Sequence, residues 1–209
     1  MSRQSDWTFE LFGDATGNCR RAAIALEELG IPYTVRKLSL RRGDHLTPEY
    51  LARNPDGKVP TLLIRREGSE PTYLTQSNAI MLFLDDLSPG RLLPKDPLPR
   101  AAALETYMYL LTEVIALVTV VRQLRMARVV DMAERLEHEA GQRFLGAAHY
   151  LERAQYFNGA EFGLADIVGL TVAHGLLRVL DWSGQMRLSK WFDAGIQRPS
   201  FIKGSAIFD

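Results

Sequence analysis

One cysteine in 209 residues, Cys19, leaves no partner for an internal disulfide and fits a reducing, cytoplasmic setting. Net charge is missing too. Twenty-five Lys and Arg balance 25 Asp and Glu, so no strong field draws the chain toward nucleic acid or an anionic membrane. The four histidines, His45, His138, His149 and His174, show no metal-ligand spacing, and no GxxxxGK[ST] loop occurs. These absences argue against a metal enzyme and a nucleotide hydrolase. The opening residues, MSRQSDWTFELF, lack the apolar core of a leader peptide. The longest greasy run, about Tyr107 to Val121, is broken by Glu113 and is short for a bilayer span.

What is present suits an ordinary globular chain: 46% apolar and 24% charged residues, with enough length for a real core. Strand and helix signals alternate over the first 87 residues. TFELF (8–12) is rich in strand-compatible residues and stops at Gly13. Cys19, Ala22, Ala23, Leu26 and Leu29 then repeat at helical spacing, with Gly30 as the stop and Pro32 beyond. YTVRKLSL predicts a second strand, and TPEYLA a short helix with Pro48 in its first turn. TLLIRR and TYLTQ flank the turn EGSEP as an antiparallel hairpin. Ala79, Ile80, Phe83, Leu84 and Leu87 give the following helix one apolar face. Pro60, directly before TLLIRR, leaves two readings open: it starts the strand, or Val59-Pro60 is a cis bond beside a ligand.

SPGRLLPKDPLPR (88–100) carries four prolines and reads as a linker. Strand signals end there. Leu104, Tyr107 or Met108, Leu111, Ile115 and Val118 mark a long amphipathic helix, and a second runs from about Asp131 to Phe157. LADIVGLTVAHGLLRVL (164–180) is apolar nearly all round, as a buried central helix requires, with Gly163 as N-cap and Asp166 at N3. Trp191 and Phe192 anchor a further helix. The expected organisation is a small α/β domain over residues 1–87, a proline-rich linker over 88–99 and an all-helical domain over 100–209.

A βαβ–ββα unit, a proline before its third strand, a Pro-rich linker and a helical domain together resemble the cytosolic glutathione transferases. IALEELGIPY, GDHLTPEYLARNPDGKVPTLL, QSNAIMLFLDDL and FGLADI stand in order at that family's spacing, so the resemblance spans essentially the whole chain. It implies a thioredoxin-like first domain with a cis Val59-Pro60 bond, the main chain of Val59 pairing with the cysteinyl part of glutathione. It also implies a homodimer. Glutathione itself needs a strand-like edge for its extended middle, a helix N-terminus for its γ-glutamyl carboxylate and a cation for its glycyl carboxylate. Gln76 and Ser77 begin a helix, with Ser77 placed to cap it and to bond the γ-glutamyl group. Where the family usually has an acidic residue, Gln76 keeps an acceptor and loses the charge. His45, in GDHL, and Lys58 are the candidates for the glycyl carboxylate.

Phe12 stands where some classes of the family carry a catalytic tyrosine, which excludes a tyrosine mechanism. DATGNC puts Thr16 where other classes carry a serine, and Thr16-x-Asn18 resembles the Thr-x-Asn pattern of the bacterial Nu class. Thr16 and Asn18 are therefore the expected donors to the glutathione sulfur. Cys19 matches the apolar face of its helix and falls one position beyond the place of a catalytic cysteine in the beta class, so it reads as core. By analogy Phe12, Tyr107, Met108 and Leu111 line a second-substrate pocket between the domains, while Arg122, Arg125 and Arg128 read as a solvated face. The resemblance thus implies a detoxifying transferase that uses glutathione as co-substrate, needs no metal and joins the thiolate to a small electrophile. The alternatives are a Nu-like, glutathione-dependent disulfide or peroxide reductase, and a non-catalytic transferase-fold module that binds proteins.

Overall fold

The computed structural model describes residues 6–209; the first five residues of the segment read as lacking a leader lie outside the described residues. The chain divides into two compact units, one of residues up to Ser88 joined by Arg198–Asp209, the other Pro89–Gln197.

The first unit is a thioredoxin-like sheet with helices. β1 (Trp7–Gly13) leads through α1 (Gly17–Leu29) to β2 (Thr34–Lys37), and a 3₁₀ turn (Asp44–Leu46) leads into α2 (Pro48–Leu51). The antiparallel pair β3 (Thr61–Arg66) and β4 (Thr72–Thr75) then delivers α3 (Ser77–Leu87). The sheet order is β2-β1-β3-β4, with only the β1–β2 pair parallel. α1 forms where the apolar period predicted it, burying Cys19, Ala22, Ala23, Leu26 and Leu29. It ends at Gly30, whose φ of 64° is a left-handed conformation that costs glycine little. YTVRKLSL pairs over only four residues, because Leu38 onward turns away to bond Gly13 and Asp14.

The second unit is helical: α4 (Pro97–Tyr109), a π-helical stretch (Leu110–Ile115), α5 (Ala116–Met126), α6 (Val130–Gly146), a 3₁₀ stretch (Ala147–Glu152), α7 (Leu164–Leu176) and α8 (Met186–Ile196). α4 starts at Pro97, before the expected residue 100, because Asp96 caps it through Leu98 N–H (3.0 Å) and prolines need no acceptor in a first turn. α4 to α5 runs unbroken from Pro97 to Met126, long and apolar enough to cross a membrane, where the sequence suggested a shorter segment. Glu113 lies in its middle and pairs with Arg143 of α6, which also bonds Glu139. α6 stops at Gly146, so the helix expected to reach Phe157 is shorter and ends in 3₁₀ geometry.

α7 is buried on nearly every side, as its composition requires. Its anchor is Asp166, which is fully buried. One carboxylate oxygen accepts from Phe157 N–H (2.8 Å) and Trp191 Nε1–H (2.7 Å), the other from Gly163 N–H (3.0 Å) and Asn158 N–H (3.2 Å). Burial pushes this carboxyl up to about 6, against the pull of the Trp191 and main-chain donors.

The expectation that residues 198–209 belong with the helical domain is corrected. α9 (Pro199–Ala206) packs on α1 of the first unit. A side chain at Gly204 would lie 2.6 Å from Ile24 N, so the two backbones touch there. Glu28 of α1 accepts from the Arg198 guanidinium and the Ser200 hydroxyl.

Asp166→Asn keeps one acceptor for four N–H donors. It is expected to cost about 2–5 kcal/mol, from leaving buried donors unpaired, and to lower the melting temperature of the helical unit, read by calorimetry.

Candidate functional site

The register of the sheet gathers the site. Thr61, first in β3, pairs with Phe12 near the end of β1 on one side and with Thr75, last in β4, on the other. Gly13 pairs with Lys37 at the end of β2. The β1–α1 turn, the Val59-Pro60 segment and the β4–α3 junction therefore leave the sheet at one end. Two helix N-termini follow directly, α1 at Gly17 and α3 at Ser77. Free first-turn N–H groups and the positive end of the helix dipole suit an anion.

The β1–α1 turn is tied from several directions. Leu38 N–H donates to Gly13 O (2.8 Å), and the Asp14 carboxylate accepts from Ala15 N–H and Leu40 N–H, both at 2.8 Å. Thr16 is the N-cap of α1: its hydroxyl oxygen accepts from Cys19 N–H at 3.2 Å and keeps its own proton to donate. Asn18 is exposed, and its Oδ1 accepts from Arg21 Nη1 at 2.8 Å. A guanidinium only donates, so this contact fixes the amide orientation and leaves the Asn18 NH2 facing away. Cys19 is fully buried. Burial pushes its thiol up to about 11, with the Thr16 hydroxyl opposing, so it is a neutral core group and no nucleophile.

The loop before β3 is held by a buried polar knot. Lys58 O accepts from Tyr50 Oη–H (2.6 Å) and Asn54 Nδ2–H (2.7 Å). Thr61 Oγ1 lies 2.9 Å from Tyr50 Oη and accepts from Asn54 Nδ2–H at 3.2 Å. The Lys58 side chain is exposed while its carbonyl is clamped. Val59-Pro60 is cis, as the resemblance implied, and half-buried Val59 packs on Phe12, Tyr50 and Leu63. His45 sits in the neighbouring turn. A Cβ at Gly57 would meet His45 O at 3.4 Å, so the loops carrying His45 and Lys58 abut. The Nδ1 atom of His45 is buried and has no partner among the described residues.

Ser77 is the first residue of α3 and buried; it does not cap the helix, contrary to expectation. Gln76 occupies the cap position with φ 69° and ψ 109°, and its side chain caps nothing. A positive φ in a residue other than glycine is sparsely populated and costs on the order of 1–3 kcal/mol. That strain turns the chain sharply from β4 into α3 and leaves the helix N-terminus without a side-chain cap.

The four residues expected to line a second-substrate pocket divide. Phe12 is buried beneath Tyr50, with the Arg53 guanidinium 5.4 Å over its ring, and Tyr107 is fully buried in the helical unit. Phe12 contributes to the wall of a cavity of about 510 Å³ in the first unit, with Leu38, Tyr50, Arg53, Leu63 and Tyr73. Met108 is exposed and Leu111 half-buried. A cavity of about 450 Å³ in the helical unit is walled by Leu93, Pro94, Ala102, Tyr150 and Tyr156, and none of the four lines it. Arg122, Arg125 and Arg128 are exposed, with Arg125 paired to Glu137. Among the described residues no cluster of three His, Cys, Asp or Glu is placed to hold a metal.

Sequence reasoning missed Asp14, Tyr50, Asn54 and Thr61. Asn54 had a signal, since an asparagine opening NPDG is a turn-former that bonds its own backbone two residues on; Asp56 N–H does donate to Asn54 Oδ1 at 3.2 Å.

Comparisons with known proteins converge. A profile described as "Glutathione S-transferase, N-terminal domain" matches residues 17–87. Glutathione S-transferase GstB of Escherichia coli is 27% identical over 193 residues, covering 89% of this chain and 91% of that protein. Maleylacetoacetate isomerase maiA of Aspergillus fumigatus is 40% identical over 86 residues, but that match spans only 37% of its length and 40% of this chain. A glutathione transferase from Pseudomonas putida, solved with one glutathione disulfide bound per subunit, superposes with a TM-score of 0.83 at 22% identity, covering 96% of this chain and 91% of that one.

Tyr50→Phe removes one of two clamps on Lys58 O. It is expected to cost about 1 kcal/mol, the worth of a hydrogen bond, and to speed amide hydrogen exchange across Gly57–Val59 relative to the sheet.

Proposed function

We propose that the chain is a glutathione S-transferase family member that binds glutathione at this sheet end and stabilises the thiolate for attack on an electrophilic, mostly apolar substrate. The observation that carries the reading is the convergence of two helix N-termini and the Val59 edge on one point of the sheet.

Each part of the tripeptide has a counterpart. The γ-glutamyl carboxylate goes to the α3 N-terminus and the Ser77 hydroxyl, and Gln76 offers its amide oxygen to the ligand's amine. The main chain of Val59 pairs with the cysteinyl unit. His45 and Lys58 take the glycyl carboxylate. At the sulfur, the Thr16 hydroxyl and the Asn18 NH2 donate, and the α1 N-terminus adds its positive dipole end. The thiol proton passes to solvent, and the thiolate attacks the electrophile with no covalent enzyme intermediate. The protein's contribution is proximity plus stabilisation of the anion, each pKa decrement of one being worth about 1.4 kcal/mol. A reducing cytoplasm, a homodimeric assembly and a role in detoxification accompany this reading.

A second reading is glutathione-dependent disulfide reduction. It draws on the Thr16-x-Asn18 pattern and on the glutathione disulfide bound in the Pseudomonas putida relative. There the bound thiolate attacks a disulfide sulfur, a mixed disulfide forms and the other thiol departs.

Calorimetry with glutathione, paired with ultraviolet absorbance of the bound thiolate across pH, tests the proposal. The expected result is a bound thiol titrating well below the free value of about 8.5. Thr16→Ala should return it toward that value and lower kcat roughly 10²-fold, as loss of one aimed donor does. Thr16→Ser keeps both the cap and the donor and should retain activity. Tighter binding of glutathione disulfide than of glutathione would favour the reductase. No binding of either would overturn both.

A further inference from the structure

The segment after α9 returns to the β1–α1 turn. Phe208 is 6% exposed, and its ring rests on Gly13: a Cβ there would lie 2.7 Å from Phe208 Cζ and 2.9 Å from Cys19 Sγ. Only glycine leaves room at that position, so strand end, helix start and tail share one close contact. Asp209 extends the contact to both sides of the turn. Its carboxylate pairs with Arg20 in the first turns of α1 at 3.2 Å, and its main-chain oxygen accepts from Lys37 Nζ at the end of β2. Gly13 and Lys37 are register partners, so the tail spans the end of the β1–β2 pair that launches the turn bearing Thr16 and Asn18.

We infer that the Ile207–Asp209 tail is a positioning element for the thiol-activating turn, with Phe208 setting its seat and Asp209 tying β2 to α1. The inference rests on the glutathione transferase reading and assigns the tail a part in it. Neither residue touches substrate. Phe208 acts through Gly13 and Cys19 on the path of the backbone that aims the Thr16 hydroxyl and the Asn18 amide. A small rotation of that turn misdirects both donors at once, which a contact that merely fills space elsewhere in the core would not do. The Arg20–Asp209 pair is partly solvated and contributes little to stability, so its effect is on alignment.

Cys19, the single cysteine, is an internal reporter on the seat. Phe208→Ala, Phe208→Leu and Asp209→Ala would be compared with the wild type in three measurements: the pKa of bound glutathione's thiol, kcat and KM with an activated chloronitroarene, and the rate of Cys19 labelling by a soluble disulfide reagent. Phe208→Ala is expected to raise the bound thiol's pKa by about 1 and lower kcat about tenfold, the same factor in free energy, with KM for glutathione little changed. It should also label Cys19 about tenfold faster, as local opening of the seat requires. Phe208→Leu should recover part of each effect, and Asp209→Ala should shift them in the same direction by less. Wild-type thiol pKa and kcat in Phe208→Ala, with faster labelling or a lower melting temperature, would overturn the inference and leave Phe208 as packing. If Phe208→Ala does not fold, Asp209→Ala combined with Lys37→Met at two exposed positions carries the test, and an unchanged thiol pKa there overturns it equally. A wild type that binds no glutathione overturns the transferase reading and this inference together; a lowered pKa indifferent to the tail overturns this inference alone.

Discussion

The double pairing of Thr61 is the constraint on which the site depends. With Phe12 on one side and Thr75 on the other, β3 sets where β1 and β4 end. A slip of one residue would turn Leu62 and Ile64 out of their core and part the three segments that meet at the sheet end. The Thr61 side chain also joins Tyr50 and Asn54 in the knot around Lys58 O. The same residue thus holds strand register through its backbone and the preceding loop through its hydroxyl.

Rigidity is distributed by buried polar groups with saturated partners. Asp166 fastens α7 to the turn before it and to α8, and Tyr50 with Asn54 fastens the loop before β3. Both anchors clamp main-chain atoms, and at Lys58 the carbonyl is held while the side chain stays in solvent. Two residues of the expected glutathione-binding set carry an unpartnered buried atom or backbone strain, His45 at Nδ1 and Gln76 at its φ, and Asn158 Oδ1 and Arg128 show the same features outside that set. Unfilled hydrogen bonds and strain of this kind are worth tolerating where a ligand supplies compensation.

Much of this architecture was legible in advance for identifiable reasons. α1 is periodic, starts at a threonine and stops at a glycine; β3 is bracketed by a proline and a turn, and its bounds are those read from TLLIRR. Helix ends were less secure. Ser77 moved by one position from cap to first helical residue because Gln76 adopts a conformation no propensity suggests. Tyr50 looks apolar in a short helix, and its partner is a carbonyl, a group every residue carries, so no pattern advertised the bond. Tyr107 was expected at a pocket by analogy, whereas its full burial depends on packing that periodicity does not specify. The docking of α9 was also invisible: an amphipathic helix shows that it has a buried face, and not which surface will bury it.

That docking bears on how the molecule is made. α9 closes onto α1 backbone to backbone at Gly204, yet the whole helical unit is encoded between them. On the ribosome the sheet and its first helices emerge early and lack this cover until α4 through α8 have been synthesised. At about 5–20 residues per second that interval lasts several seconds or more. During it Ile24 and its neighbours lie open to solvent and to other nascent chains. The unit that holds the candidate site is begun first and finished last, so premature arrest of synthesis would release a complete sheet with the α9-facing side of α1 uncovered.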